Sequence, residues 1–239
     1  MSLPEVTTRE KWLAARKELL AREKAMTRQR DALNADRRRL PMVEIDKDYV
    51  FEGPGGTARL GDLFGGSRQL IIQHIMFGPD WEAACPGCTA FLDELAPAAL
   101  AHIRSRDTAF AGVSRAPLAK IAAYRASRRW QFDWYSSYGS DFNYDFQVTI
   151  DPAVAAPVYN YEPQAGKADP IAGEMPGFSC FLRDGGRVYH TYSTFARGAD
   201  QLGSSYSLLD LTAFGRSEVW EEPEGRAARL HEADPTFSD

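Results

Sequence analysis

Cysteine and histidine are scarce: 239 residues contain 3 Cys and 4 His. Three cysteines, two of them paired as Cys85 and Cys88, do not form the disulfide framework of a small secreted domain. The pair therefore points to redox chemistry or metal binding. A second Cys-x-x-Cys and a His-x-x-x-His are both missing, so a tetrahedral zinc site would have to recruit Cys180 or His190. Long apolar runs are missing too. The longest, Leu70 to Phe77, is interrupted by Gln73 and His74 and falls far short of the roughly 20 residues of a spanning helix. Met1-Ser2-Leu3-Pro4-Glu5 runs directly into a charged pattern without the apolar core and cleavage site of a signal peptide, so a cytoplasmic protein with no membrane contact is expected. No internal repeat or low-complexity tract occurs.

What is present is ordinary for a globular α/β chain. Apolar residues make up 44% and charged residues 26%, which excludes wholesale disorder. The length lies between one generous domain and two small ones, at about 100 to 200 residues per domain. Charge is unevenly spread: residues 1–40 hold 11 Lys/Arg against 6 Asp/Glu, and the remainder 17 against 27. Such asymmetry can signal nucleic-acid binding, but opposite signs alternate along the arm (Arg9, Glu10, Lys11; Arg22, Glu23, Lys24). That alternation reads as a solvated helix, and no nucleic-acid partner is expected.

Thr7-Thr8-Arg9-Glu10 reads as a capping box led by Thr7, opening a helix that continues to about Leu40. Trp12, Leu13, Leu19, Leu20, Met26 and Leu33 give this helical arm, residues 1–42, one sparse apolar face, suited to the body or to homodimerisation. Tyr49 to Phe51 is a short strand candidate, and Leu60 to Phe64 a short helical piece ended by Gly65-Gly66. Leu70 to Phe77 has the composition of a central strand covered on both faces. The Cys-x-x-Cys then opens a helix from Cys88 to Arg106, in which Pro97 predicts a kink or break. Thr108 to Val113 is a second buried strand, followed by a helix from Leu118 to Arg129 with Pro117 at its start. Gln131 to Tyr135 is a third strand. Alternation of strand and helix implies parallel pairing.

An aromatic-rich stretch from Tyr138 to Tyr161 reads as an insertion or lid, spanning about residues 136–172. Gly177 to Arg183 and Arg187 to Ser193 flank Asp184-Gly185-Gly186, a hairpin corner whose two-residue turn would set Phe181 opposite His190 and Cys180 opposite Thr191. Leu208 to Phe214 is a last helical element. An acidic tail occupies residues 216–239.

Cys85-Pro86-Gly87-Cys88 carries the chemistry. Unpaired N–H groups at a helix start stabilise a thiolate, so Cys85 is the expected nucleophile and Cys88, one turn inward, the resolving thiol. Asp80 and Glu82 oppose thiolate formation if they lie close. This chemistry calls for no cofactor and no metal.

The element order over residues 43–215 resembles the thioredoxin superfamily, especially its peroxiredoxin-like branch. The fold so implied is α/β, with a central mixed sheet flanked by helices. The resemblance rests on the strand before the Cys-x-x-Cys, on Ala109-Phe110-Ala111-Gly112-Val113-Ser114 with its helix, and on Met175-Pro176 before the hairpin. More closely, His74-Ile75-Met76-Phe77-Gly78-Pro79-Asp80-Trp81, Trp134-Tyr135-Ser136-Ser137 and the phrase from His190 to Gly198 are similar to an uncharacterised bacterial thioredoxin-like family, domain of unknown function 899.

By that resemblance Pro176 is a cis-proline lying against the redox pair, with Met175 shaping a substrate groove, while His74, mid-strand in an apolar run, is either a satisfied core histidine or a buried proton carrier. Trp81 is the expected partner contact. The peroxiredoxin pattern places Thr or Ser three residues before its reactive cysteine, where this chain has Glu82; Arg115, Arg125 and Arg129 are its candidate cations. Three readings stay open: a thiol-disulfide oxidoreductase acting on a disulfide-containing protein or a small thiol substrate, a non-catalytic binding protein of the same fold, and a thiol peroxidase.

Overall fold

The structure, a computed structural model, describes residues 3–164, 171–216 and 222. The first helix, α1 (Arg9–Arg37), is capped by Thr8, whose hydroxyl oxygen accepts from the Lys11 amide at 3.4 Å. The capping box is therefore displaced by one residue from its expected frame: Lys11, not Glu10, stands at the third helical position. The helix ends at Arg37, before Leu40.

Two short strands, β1 (Val43–Glu44) and β2 (Val50–Gly53), follow, and β2 turns back as β3 (Gly56–Arg59), a strand too short and polar to stand out in the sequence. A 3₁₀ turn over Asp62–Phe64 leads into β4 (Gln69–His74). The helix opened by the Cys-x-x-Cys is broken into α2 (Pro86–Asp93) and α3 (Pro97–Arg104). Proline has no N–H to continue a helix, and Pro97 starts a new one. Then come β5 (Thr108–Ser114), α4 (Leu118–Arg128) and β6 (Asp133–Ser136).

The aromatic stretch forms α5 (Phe142–Asp145), β7 (Thr149–Ile150), β8 (Val158–Tyr159) and β9 (Glu162–Pro163). The chain returns through β10 (Gly173–Glu174) to the hairpin β11 (Gly177–Asp184) and β12 (Arg187–Phe195). The final described helix, α6 (Ser204–Leu209), starts and ends earlier than Leu208 to Phe214. Most of the expected tail, and residues 165–170 of the expected insertion, lie outside the described residues.

Among the described residues the main sheet has eight strands in the order β1-β12-β11-β4-β5-β6-β2-β3. It is mixed: β4, β5 and β6 are parallel, whereas β11 runs antiparallel to β4 and pairs with it from Gly177–His74 to Leu182–Gln69. This is the thioredoxin-like α/β arrangement, with β4 at the centre. Both faces of β4 are covered, which accounts for its nearly unbroken apolar composition. Leu70 and Ile72 face a cluster containing Phe51, Phe64, Phe142, Phe146 and Phe181. On the other face Ile75, Phe77, Ala84, Cys88, Leu92, Ile121 and Trp134 pack together beneath α2 and α4. Phe142 and Phe146 are thus core residues, and so is much of the stretch expected to act as a lid; aromatic rings bury large areas wherever a sheet face is open.

The hairpin turn uses Gly185 and Gly186 at φ of 55° and 80°, values that favour glycine. Phe181 faces His190, as the turn length requires, but Cys180 faces Tyr192 and not Thr191. A bulge between Cys180 and Phe181 absorbs the extra residue, and the Thr191 hydroxyl donates to the Cys180 carbonyl at 3.0 Å.

Candidate active site

The chain leaves β4 at His74, crosses Ile75 to Ala84 and enters α2 with Cys85 as its N-cap and Pro86 in its first turn. The Cys85 amide donates back to the Met76 carbonyl at 2.9 Å, fixing the cap to the end of the strand. Thr89 secures the other side: its amide and hydroxyl both donate to the Cys85 carbonyl, at 2.9 and 3.0 Å. With that proton committed, the Tyr124 hydroxyl donates to Thr89 Oγ1 at 3.0 Å.

Cys85 is half-buried and Cys88 buried, and no disulfide joins them. Their sulfurs are hydrogen-bonded partners. The Cys88 thiol is held well above its ordinary value by its hydrogen bond to Cys85, by burial and by negative charge on Cys85; the Met76 backbone opposes this. The two thiols are thus unequal: Cys85 is half-buried and Cys88 is buried, with its thiol pushed up.

The acidic residues of the loop before Cys85 are exposed. Asp80 is exposed, and the Glu82 side chain is almost wholly in solvent, 3.9 Å from Lys120 Nζ. Lys120 also donates to the carbonyls of Pro79 and Trp81, at 3.1 and 2.9 Å, pinning the loop that carries Trp81. Trp81 lies partly exposed, with its indole over Gly78.

Met175 and Pro176 immediately precede β11, whose first residue pairs with His74, so they lie at the same end of the sheet as the Cys85 loop. Their position is held from three sides. The Met175 amide donates to the Val148 carbonyl at 2.8 Å, and Tyr159 donates its hydroxyl to the Pro176 carbonyl at 3.1 Å. Glu174, 6% exposed, pairs with Arg115 at 3.0 Å and accepts from Thr149 at 2.8 Å. Burial raises the Glu174 carboxyl despite these partners. Tyr159 and Glu174 escaped the sequence analysis, because no local spacing links residue 115 to 174 or 159 to 176.

His74 takes the place of a core histidine. It shares the face of Leu70 and Ile72 and stacks near Phe142 and Phe146, whereas α2 covers the opposite face, where Phe91 meets Phe178. A one-residue step along a strand reverses the face, so His74 points away from the dithiol. It begins instead a buried chain: His74 Nε2 to Ser179 Oγ at 2.7 Å, Ser179 to Ser193 at 2.8 Å, and Ser193 to His190 Nε2 at 2.7 Å.

Three links and two hydroxyl protons require one Nε2–H. His74 Nδ1 is buried without a partner, and an unmet acceptor there costs less than an unmet N–H. The proton is therefore on His74 Nε2, and His190 donates from its other nitrogen to the Tyr192 backbone. Burial, with His190 nearby, lowers His74 to about 3.

The other candidate ligands and cations are engaged elsewhere. Cys180 is pushed up to about 11 by burial, and His190 belongs to the serine chain. Among the described residues no group of three or more His, Cys, Asp or Glu is arranged to hold a metal. Arg115 is bound to Glu174, and Arg125 lies 3.6 Å from Asp133. Arg125 and Arg129 line a groove of 690 Å³ between α4 and the β2–β3 hairpin. No described helix is long and apolar enough to cross a membrane.

Comparison with known proteins gives likenesses at low identity. Xanthomonas campestris peroxiredoxin Q is 15% identical over 68% of this chain and 93% of its own, with a TM-score of 0.48. Peroxidoxin BcpB from Mycobacterium tuberculosis is 18% identical over 66% and 86%, with a TM-score of 0.42. Plasmodium yoelii thioredoxin peroxidase I is 12% identical over 68% and 83%, also at 0.42. No curated protein sequence matches the chain. Residues 1–234 match one family throughout, and the chain belongs to it: "Bacterial protein of unknown function (DUF899)".

Proposed function

We propose that the chain is a thiol-disulfide oxidoreductase. The observation that carries this reading is the asymmetric dithiol: a half-buried Cys85 capping α2 and accepting a hydrogen bond from a buried Cys88 that retains its proton. The Cys85 thiolate attacks one sulfur of a disulfide, forming a mixed disulfide and expelling the other sulfur as a thiolate. Cys88 then loses its proton and attacks Cys85 Sγ. The internal Cys85–Cys88 disulfide forms, and the second substrate sulfur leaves. The substrate gains two electrons and two protons. An external dithiol or thiol reductant returns the protein to its starting form.

Trp81, Met175 and Pro176 are the residues assigned to bind the disulfide-bearing protein or small thiol substrate. Peroxide chemistry is less well supported. A hydroxyl three residues before Cys85 is replaced by an outward-facing Glu82, and Arg115 is committed to Glu174.

Turnover of a protein disulfide under an external dithiol tests the reading. Wild type is expected to turn over repeatedly, Cys85→Ser to be inactive, and Cys88→Ser to stop at a mixed disulfide on Cys85, seen as an adduct by intact mass. Full multiple turnover by Cys88→Ser would refute the two-cysteine mechanism.

A further inference from the structure

The 29 residues of α1 extend for about 43 Å at 1.5 Å per residue, yet not one of them is buried. Trp12, Leu19, Met26 and Leu33 recur at intervals of seven, with Leu13 and Leu20 beside the first two, and all six are between 38% and 65% exposed. A seven-residue spacing drifts only about 20° per repeat on a straight helix, so these side chains form one continuous stripe. Helices in proteins draw most of their stability from packing such a face. Exposed pairs such as Arg16–Glu23 contribute little, typically about 0.2 to 1 kcal/mol. The arm meets its own body near the junction, where Arg37 lies over the Tyr192 ring at 5.3 Å.

We infer that α1 docks on a second copy of this chain, each arm lying against the acidic body of the other. Charge selects the seat. The first 40 residues carry a net charge of +5 and residues 41–215 carry −6, the tail 216–239 adding −4, so two arms repel each other while arm and body attract. Reciprocal exchange uses the same two surfaces twice and closes as a two-fold dimer. The apolar stripe supplies the buried area, and the surrounding Arg and Lys face the partner's carboxylates.

Sedimentation equilibrium of the full chain at micromolar concentration tests this. A dimer is expected, with a dissociation constant that rises at least about tenfold between 50 and 500 mM NaCl as screening grows. Leu19→Glu/Met26→Glu/Leu33→Glu should give a monomer with the body's unfolding midpoint unchanged. Arg22→Glu/Lys24→Glu/Arg28→Glu/Arg30→Glu, which keeps the apolar stripe and replaces helix formers with a helix former, should do the same. A monomeric wild type would overturn the proposal. So would a dimer that tightens with salt, or one that survives the charge reversal.

Discussion

Protonation at single residues decides how this molecule responds to pH. His74 is neutral in the native chain because burial forbids its charge, and its chain to His190 is directional only while both rings stay neutral. The unfolded chain has no such restriction and takes up a proton near pH 6.5. Stability from His74 is therefore complete above about pH 6.5 and is lost as pH falls towards about 3, at up to about 1.4 kcal/mol per pH unit. We predict that urea unfolding of His74→Gln shows a shallower loss between pH 6 and 4 than wild type, by roughly that slope. Equal slopes would mean that His74 is not held neutral. The sequence marked His74 as a histidine in an apolar strand, but which face it takes depends on where β4 begins, a matter of one residue.

Among the elements, the link from β10 to β11 is held by contacts that cross long stretches of chain. Arg115 leaves the end of β5 to reach Glu174, stacks over the Tyr144 ring at 4.9 Å, and so ties the Met175-Pro176 corner to the parallel strands. Glu174→Gln leaves Arg115 without its counter-charge in a largely buried place. Breaking such a pair costs about 3 kcal/mol, readable as a lower urea midpoint, whereas Asp184→Asn, at an exposed pair with Arg68, should change stability by under about 1 kcal/mol.

Elements with strong local signals were readable in the sequence: the hairpin from its Gly-Gly corner, α4 from its proline, β5 from its apolar run. The break before α3 followed from Pro97. The bulge at Cys180 has no glycine or proline to announce it, and strands of two residues such as β7 and β10 exist only through their pairing with each other.

At the scale of the whole molecule, the mixed sheet gathers the site at one end. The parallel strands β4, β5 and β6 all finish there, β11 starts there, and the loop from β4 delivers Cys85 to the head of α2. Alternating strand and helix made this arrangement legible, because a parallel sheet covered on both faces produces apolar runs separated by helices. The role of the aromatic stretch was not legible: Phe142 and Phe146 complete a core whose other members come from residues 49 to 195.

Two neighbouring sulfurs in one motif differ in exposure and in their hold on a proton, and residue-resolved alkylation of the native dithiol reads that difference. With limiting iodoacetamide across pH 5 to 9, followed by peptide mass analysis, label is expected to enter Cys85 first at every pH while Cys88 stays unmodified until the chain is unfolded. Equal labelling of the two, or Cys88 ahead of Cys85, would mean that the two sulfurs are not so divided.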